Sequence, residues 1–263
     1  GGSLAHISFS VWKDRQIKKH FRAEDFDIVH VHEPFMPFLP WLVVRRSPTT
    51  TIGTFHAFNE RTLRLLLLKP LLRYTARRLH GRIAVSKAAL NYVSRHFPGN
   101  YAVIPNGVDV EHFSAPQPRR PEFNDGKLNI LFVGRAEKRK GLTNLIGAYG
   151  RLKWNFPDLR LIVVGPDNPD DDAARAIEER GIDDVVFVGG VTYNDLPSYH
   201  HSSDIFCSAS IGRESFGIVL LEAMASSKPI LATSILGYAS IIKHGHQGFL
   251  VPPRDTNALA KGL

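Results

Sequence analysis

Cysteine and long apolar runs are what this sequence most clearly lacks. Among 263 residues there is one cysteine, so no disulfide can form within the chain, which is typical of a reducing compartment. Cys207 lies in a short apolar run at residues 205–207, and we interpret it as a small buried hydrophobic residue. The sequence also has no signal peptide and no apolar run long enough to span a bilayer. These absences predict a soluble or peripheral protein of the cytoplasm.

Positive charge is concentrated in the first part of the sequence. The formal net charge is +8, but residues 1–120 carry 18 Lys and Arg against 8 Asp and Glu, whereas residues 121–263 carry 15 against 17. This bias predicts an anionic partner for the first part. We expect that partner to be an anionic lipid rather than a nucleic acid.

Residues 12–22 form a basic segment with helical periodicity. Trp12, Ile17 and Phe21 lie near one predicted helical face. A basic amphipathic helix of this kind can lie on an anionic membrane, such as the inner face of the plasma membrane, and a solvated surface helix is the alternative. The basic residues of this predicted membrane surface are Lys13, Arg15, Lys18 and Lys19.

Strand-like and helix-like patterns alternate along the chain, which predicts an α/β fold with mostly parallel sheets. We also expect an edge strand at residues 1–10 and a helix at residues 61–78 that Pro70 kinks or breaks. The composition shifts to Pro, Arg and Asn between residues 113 and 126, which predicts a linker there. The stronger strand predictions are residues 27–34, 50–57, 82–86, 101–109, 128–135, 160–165, 185–188, 205–207 and 228–233.

Residues 213–225 read as a loop that leads into a helix. Glu214 and Glu222 flank a Ser-Phe-Gly turn and an apolar run, so Glu214 would lie beyond a strand end and Gly217 would open the helix. A helix start offers unpaired N–H groups and a partial positive charge, which suit a phosphate. The pattern predicts a nucleotide diphosphate with an attached sugar near Glu214 and a ribose near Glu222. Two solvated glutamates on a core helix are the alternative.

A second cluster of charge follows the predicted strand at residues 128–135. Arg135 and Lys140 lie beyond the strand end and before a helix, where two cations can hold a diphosphate, and a solvated charge cluster is the alternative. The acidic run Asp170, Asp171 and Asp172 precedes a helical pattern, and we interpret it as favourable charge at a helix start rather than a metal site.

Histidines occur near the carboxyl ends of the first two predicted strands. Ligands of open α/β sheets bind beyond those ends, which favours His56 as a site residue, with a structural histidine as the alternative, and we interpret His30 as a structural residue. His30 and His32 are not interpreted as a metal pair, because no third ligand has suitable spacing.

The sequences of several segments resemble those of one enzyme family. E-S-F-G-I-V-L-L-E-A-M-A at residues 214–225 is similar to the E-x7-E signature of retaining glycosyltransferases of family 4, which have the GT-B fold. Similar segments are H-V-H-E-P-F at residues 30–35, T-F-H-A at 54–57, V-I-P-N-G-V-D at 103–109 and G-F-L-V-P-P-R-D at 248–255. Within the family, the sequences of these segments are most similar to those of bacterial phosphatidyl-myo-inositol mannosyltransferases.

The resemblance implies two Rossmann-like domains facing a cleft, an acceptor-side domain at residues 1–117 and a nucleotide-sugar domain at 118–263. It implies transfer of a hexose, with GDP-mannose as donor substrate, to a hydroxyl of a phosphoinositide lipid, without a metal or another cofactor. The implied catalytic residues are His56, Arg135, Lys140 and Glu214, with His32 lining the acceptor side. The implied donor-binding residues are Gly134, Val191, Ser215, Phe216, Gly217, Ile218, Val219 and Glu222.

The sequence departs from the family at its ends. Family members begin with a strand and a Gly-rich loop over the diphosphate and end with helices that return to the first domain, so we expect this chain to be truncated on both sides. Ser226 and Ser227 also replace a usual Ala-Gly pair. Two other functions stay open: a UDP-sugar-dependent transferase with a soluble acceptor, and a non-catalytic fragment that binds a nucleotide sugar or a membrane surface.

Overall fold

The computed structural model describes residues 11–36, 38–56 and 68–263, with only the backbone of Val11 and Trp12. Contacts divide the chain into two compact units. The first unit lies within Ser3–Asn106 and the second unit comprises Gly107–Leu263. Both have α/β architecture with parallel sheets, as predicted. The edge strand predicted at residues 1–10 lies outside the described residues.

The described part of the first unit contains a parallel sheet with the strand order β1-β2-β3-β4. Its register pairs Ile28 with Thr50, Ile52 with Gly81, and Ile83 with Ala102. The strands are β1 (Ile28–His32), β2 (Thr50–Phe55), β3 (Gly81–Ala84) and β4 (Ala102–Val103). The helices are α1 (Val11–Ala23), α2 (Leu39–Arg46), α3 (Lys69–Arg77) and α4 (Lys87–His96).

Local sequence signals explain where two of these helices begin. Ser86 caps α4, because its side chain accepts a hydrogen bond from Ala89 N. Pro70 lies in the first turn of α3, where the missing N–H is not needed. The earlier part of the predicted helix, residues 61–67, lies outside the described residues.

Helix α1 packs its apolar side onto its own unit. Ile17 is buried and Phe21 packs against the core that also contains Val29 and Val31. Asp14 accepts two hydrogen bonds from Arg46, at 2.7 and 2.9 Å, which tie α1 to α2. Ile17 and Phe21 of α1 are therefore covered by protein, whereas the basic residues described on this helix face outward.

The second unit contains a six-stranded parallel sheet with the order β10-β9-β8-β5-β6-β7. The chain builds one half outward from β5 and then returns to the other side of β5 to form β8. This reversal is the topological switch point at which open α/β sheets bind ligands. The strands are β5 (Leu128–Val133), β6 (Leu159–Val164), β7 (Val185–Gly189), β8 (Ile205–Ser208), β9 (Ile230–Thr233) and β10 (Phe249–Val251).

Helices cover both faces of this sheet, and its central strands are accordingly apolar on both sides. Ile130 and Phe132 of β5 enter one core cluster, whereas Leu131 enters the other. Cys207 in β8 is fully buried, as predicted, and burial raises the pKa of its thiol to about 12. The helices are α5 (Val110–Ser114), α6 (Leu142–Lys153), α7 (Asp171–Glu179), α8 (Leu196–Ser202), α9 (Ile218–Ala225), α10 (Leu236–Ala239) and α11 (Thr256–Gly262), with short 3-10 turns at Pro121–Phe123 and Lys138–Lys140.

The division between the units falls before α5, whereas the composition shift lies between residues 113 and 126. Phe113 of α5 is fully buried, and its carbonyl oxygen accepts hydrogen bonds from His201 and Ser226. Its ring meets the His200 ring edge to face at 5.7 Å. His200 is itself fully buried, its ring nitrogens have no partner among the described residues, and burial lowers its pKa to about 3. These contacts make α5 part of the second unit.

Candidate active site

The candidate donor site lies at the switch point, where two loops follow the carboxyl ends of β5 and β8. Residues 134–141 follow β5 and residues 209–217 follow β8. The loops are joined through their backbones, because Ile211 N donates a hydrogen bond to Arg139 O at 2.8 Å. The switch point therefore brings together the two charged segments that the sequence singled out separately.

Gly141 permits this close approach. It adopts a left-handed conformation with φ of 71°, and a Cβ added there would lie 2.0 Å from the carbonyl oxygen of Ala209. No side chain fits at that distance, so the backbone next to Lys140 requires glycine. This contact holds Lys140 beside the loop that carries Glu214.

Five side chains of alternating charge form a continuous chain of contacts, which we term the charge chain. Lys140 Nζ lies 2.7 Å from Glu214 Oε1, and the Arg139 guanidinium contacts the same oxygen. Arg139 Nε donates to Glu137 Oε2 at 2.5 Å, and Arg135 Nε lies 3.3 Å from the other oxygen of Glu137. The order is therefore Arg135, Glu137, Arg139, Glu214 and Lys140.

The interior of the charge chain is shielded from solvent and its outer end is open. The side chains of Glu137, Glu214 and Lys140 are 12–13% exposed, whereas that of Arg135 is 62% exposed. The structure thus brings the predicted residues Arg135, Lys140 and Glu214 together, but through Glu137 and Arg139, which sequence reasoning passed over. The signal that could have found them is the single acidic residue among four basic residues in R-A-E-K-R-K.

The loop after β8 runs into α9 as predicted. Gly217 precedes the helix with φ of 108°, Phe216 is buried, and the Ser215 side chain is half-buried. The first N–H groups of α9, at Ile218 and Val219, have no carbonyl earlier in the helix to bind. This end of α9 can therefore donate hydrogen bonds to an anion.

Glu222 lies in the second turn of α9 and is an unusual buried carboxyl group. It is 9% exposed, and its Oε2 has no hydrogen-bond partner among the described residues. Burial raises its pKa to about 7, against the opposing effect of Lys140. A ligand hydroxyl would supply the hydrogen bond that this oxygen lacks.

The turn after β7 carries Val191, one of the predicted donor-binding residues. Val191 packs its side chain against the core cluster that contains Tyr199 and Phe206. Tyr193 stacks on His112 with ring centroids 4.3 Å apart and an angle of 8°. The side chain of Val191 is thus directed to the core, and Gly134 likewise ends β5 by donating its N–H to Val164 O.

In the first unit, the predicted histidines are in contact near the carboxyl ends of β1 and β2. His32 Nδ1 and His56 Nε2 lie 2.7 Å apart, and His30 Nε2 lies 2.7 Å from Thr54 Oγ1. The His32 ring stacks on both other imidazoles, with centroids at 4.6 and 5.0 Å. We term these three residues the histidine cluster. His30, which the sequence reading left as structural, is part of it.

Burial and neighbouring histidines lower the pKa of two members of the histidine cluster. Burial, followed by the neighbouring His32, lowers the pKa of His30 and of His56 below the usual histidine value. The His56 N–H donates to Glu33 Oε1 at 2.6 Å, which fixes the backbone at the end of β2. Neutral imidazoles offer one donor and one acceptor each, so this cluster can hydrogen-bond a hydroxyl group.

The basic side of α1 carries most of the predicted membrane surface. A shallow concavity of about 400 Å³ is lined by Arg15, Lys18, Lys19 and Arg22. Lys13 does not line it, and Lys18 is also paired with Asp14 at 3.3 Å. Arg22 is a basic residue that the sequence interpretation had not included. Among the described residues, no helix combines the length and apolarity needed to cross a membrane.

Two acidic residues near the candidate donor site make contacts within the protein. Asp170 caps α7 by accepting from Ala173 N at 2.9 Å, as predicted for a helix start, and Asp172 pairs with Lys138. No group of His, Cys, Asp and Glu in the described ranges has the arrangement of a metal site.

Two family models together match almost the whole chain. The model described as glycosyl transferases group 1 matches residues 114–263, and that described as glycosyltransferase family 4 matches residues 2–112. The boundary between the matches adjoins α5.

Individual proteins show the same relationship. The chain is 34% identical over 263 residues to phosphatidyl-myo-inositol mannosyltransferase of Mycolicibacterium smegmatis, covering all of this chain and 67% of that protein. It is 35% identical to the enzyme of the same name from Mycobacterium tuberculosis, covering 70% of it. A crystal structure of Anabaena HepE in complex with UDP superposes with a TM-score of 0.79 at 20% identity, covering 94% of this chain and 70% of HepE.

Proposed function

We propose, from the premise that this chain belongs to the group 1 glycosyltransferases, that it transfers mannose from GDP-mannose to a hydroxyl of phosphatidylinositol with retention of configuration. Glycosyl transfer follows from the family, and the two sheets correspond to its GT-B fold. The choice of donor and acceptor is supported by the names of the mycobacterial relatives. The observation that carries the proposal is the charge chain at the switch point.

The donor's diphosphate fits the cations of the charge chain. Arg135 is exposed and Lys140 is poised beside Glu214, so both can turn toward phosphate oxygens. Cleavage of the sugar–phosphate bond leaves negative charge on the diphosphate, and prearranged positive groups stabilise such charge as it develops. In this proposal the protein's own cations and the first N–H groups of α9 supply that stabilisation, so it invokes no metal ion or further cofactor.

The remaining polar groups fit hydroxyl-bearing parts of the substrates. Glu222 offers an unpartnered oxygen that a ribose hydroxyl can satisfy, and Glu214 is held where it can accept from the transferred sugar. In the first unit, His56 and His32 offer hydrogen bonds to substrate hydroxyls. Holding reactants in a fixed orientation is the contribution expected of such groups.

The lipid acceptor is supported by the charge of the first unit. Arg15, Lys19 and Arg22 project from the basic side of α1, and cations of this kind attract anionic lipid headgroups. We place the enzyme at the cytoplasmic face of the membrane, held peripherally. Since the apolar side of α1 packs on the core, contact would be electrostatic and would weaken as salt is added.

Calorimetric titration of the 263-residue chain with GDP and with UDP tests the donor. We expect binding of GDP with clear preference over UDP, followed by transfer of labelled mannose to phosphatidylinositol in vesicles. A preference for UDP, the nucleotide bound by HepE, would replace the donor in this proposal and direct the assay to soluble acceptors. Binding of neither nucleotide would contradict the diphosphate site.

Vesicle binding tests the acceptor side. We expect the chain to sediment with vesicles containing phosphatidylinositol and not with phosphatidylcholine vesicles. Replacement of Arg15 and Arg22 by Gln should reduce that binding, whereas equal binding to both kinds of vesicle would remove the basic surface from the proposal.

A further inference from the structure

The charge chain contains one cation, Arg139, that contacts two carboxylates. Arg139 uses Nε for Glu137 and a terminal nitrogen for Glu214, and its carbonyl oxygen accepts from Ile211 N. The same terminal nitrogen lies 3.4 Å from Arg213 O. Its side chain is 25% exposed, far less than that of Arg135. We propose that Arg139 is a positioning residue that keeps Glu214 in place when Lys140 turns to the donor's diphosphate.

The need for such a residue follows from the sharing of one oxygen. Glu214 Oε1 contacts both Lys140 and Arg139. A bound diphosphate would compete for the ammonium group of Lys140, and this inference rests on the proposed donor chemistry. A shielded carboxylate that loses its last cation is strongly disfavoured. With Arg139 present, Glu214 keeps one partner after Lys140 has left.

The two cations are suited to different tasks. Lysine is a point charge on a flexible stem, so Lys140 can change partner without disturbing the backbone. The planar guanidinium of Arg139 bridges two carboxylates, Glu137 and Glu214, through nitrogens in fixed geometry. Arg139 therefore braces the loop after β8 against the loop after β5.

Two other roles for Arg139 make different predictions. If it bound phosphate itself, its loss would weaken GDP and GDP-mannose alike. If it only braced the loops, its loss would lower thermal stability without a specific effect on the sugar. A positioning role predicts loss of the part of the affinity that the sugar adds, because Glu214 would no longer be held where the sugar lies.

The test is calorimetry with GDP and with GDP-mannose on wild type and Arg139→Gln. The ratio of the two dissociation constants measures what the sugar adds. We expect Arg139→Gln to bind GDP with near wild-type affinity and to lower the sugar's contribution by roughly tenfold, the scale of one hydrogen bond to a charged group. Turnover should fall by roughly ten- to a hundredfold, as for residues that orient a ligand-binding group.

Lys138→Gln is the matched control. Lys138 lies on the same loop and carries the same charge, but it is 81% exposed and contacts only Asp172 among the described acidic residues. It should leave both dissociation constants and turnover unchanged. Arg139→Lys keeps the charge but cannot bridge both carboxylates, so we expect an intermediate loss of the sugar's contribution.

The outcomes separate the proposals. An unchanged sugar contribution in folded Arg139→Gln overturns the positioning role, as does an equal loss for GDP and GDP-mannose. If Arg139→Gln does not fold, Arg139→Lys decides in the same way. If wild type binds neither GDP nor GDP-mannose, the donor assignment fails whatever Arg139 does, and the same ratio measured with UDP and UDP-glucose then tests Arg139.

Discussion

The two units solve the same structural problem with different chemistry. Each gathers titratable side chains near the carboxyl ends of parallel strands, the charge chain in the second unit and the histidine cluster in the first. The charge chain is held by opposite charges in direct contact. The histidine cluster is held by stacked rings and neutral hydrogen bonds, with the pKa of His30 and of His56 lowered chiefly by burial.

This difference shows which ligands each cluster can exchange. A diphosphate can replace a carboxylate beside Lys140, since both are anions of similar hydrogen-bonding capacity. A neutral imidazole cannot hold an anion as strongly, but it can donate to and accept from a hydroxyl without changing its charge. The charge chain should therefore respond more strongly than the histidine cluster to substitutions that remove a charge.

The largest expected effect is a loss of catalytic efficiency on removal of a cation from the charge chain, compared with removal of an imidazole from the histidine cluster. Lys140→Ala should lower kcat/KM by roughly a hundred- to a thousandfold, the cost of removing one group that stabilises developing charge. His56→Ala should cost roughly three- to tenfold, the worth of one neutral hydrogen bond. Steady-state kinetics of both variants with the donor that binds would check this. Equal losses would mean that the histidine cluster takes part in more than holding a hydroxyl.

The next prediction concerns the close backbone contact at Gly141, which holds Lys140 beside the loop that carries Glu214. Gly141→Ala should lower the free energy of unfolding by about 1–3 kcal/mol more than Gly181→Ala, since overpacking adds that much. Gly181 is the matched control because it has φ of 57° and open space around its Cα, whereas a Cβ at Gly141 would meet Ala209 O. Urea denaturation measures both. Equal destabilisation would show that the loops do not need this contact.

Glu222, in the second unit, should make the free energy of unfolding depend on pH. Its folded-state pKa of about 7 exceeds the ordinary value of 4.5, so the folded state holds a proton that the unfolded state has lost between those pH values. The free energy of unfolding should therefore fall as pH rises from about 4.5 to about 7, by up to roughly 3 kcal/mol. Glu222→Gln should remove this slope, measured as the difference between the two denaturation curves. An identical pH profile in Glu222→Gln would contradict the raised pKa of Glu222.

The smallest expected effect lies within the histidine cluster. Because His32 contributes to the lowered pKa of His56 after burial, His32→Gln should raise the pKa of His56 part of the way toward its ordinary value. NMR titration of the imidazole protons would measure the shift. Thr49→Ser is a control outside the cluster, since its hydroxyl bonds Asp27 O, and it should leave the pKa of His56 unchanged.

Apolar patterning was sufficient to predict most of the architecture. Continuous runs such as residues 128–135 and 160–165 predicted central parallel strands, and the structure confirms β5 and β6 there. The strand predicted at residues 101–109 shrinks to Ala102–Val103, because proline at position 105 has no N–H to continue the ladder. Pro70 lies in the first turn of a helix, and the predicted helical stretch before it lies outside the described residues, so the predicted kink or break there stays a prediction.

The sequence predicted several residues of the candidate site but not the contacts that connect them. The similarity of sequence motifs to those of the family singled out Lys140, Glu214 and His32. The position at a strand end singled out His56. Sequence spacing could not show that Arg139 bridges Glu137 to Glu214, because those contacts depend on β5 and β8 lying side by side. Nor could it show that the apolar side of α1 packs on its own core. The roles of these residues stay predictions until tested.

The placement of α5 has a practical meaning for anyone who wishes to prepare the second unit as an isolated domain. A fragment that begins at Gly107 retains Phe113, whereas one that begins at residue 118 removes the edge-to-face contact of Phe113 with the His200 ring and leaves only the contact with Phe206 among its described aromatic neighbours. In the intact unit that imidazole stays neutral well into acid, with a pKa of about 3. His200 is therefore a natural internal marker: if its NMR signal titrates near pH 6.5, the fragment has been cut too short.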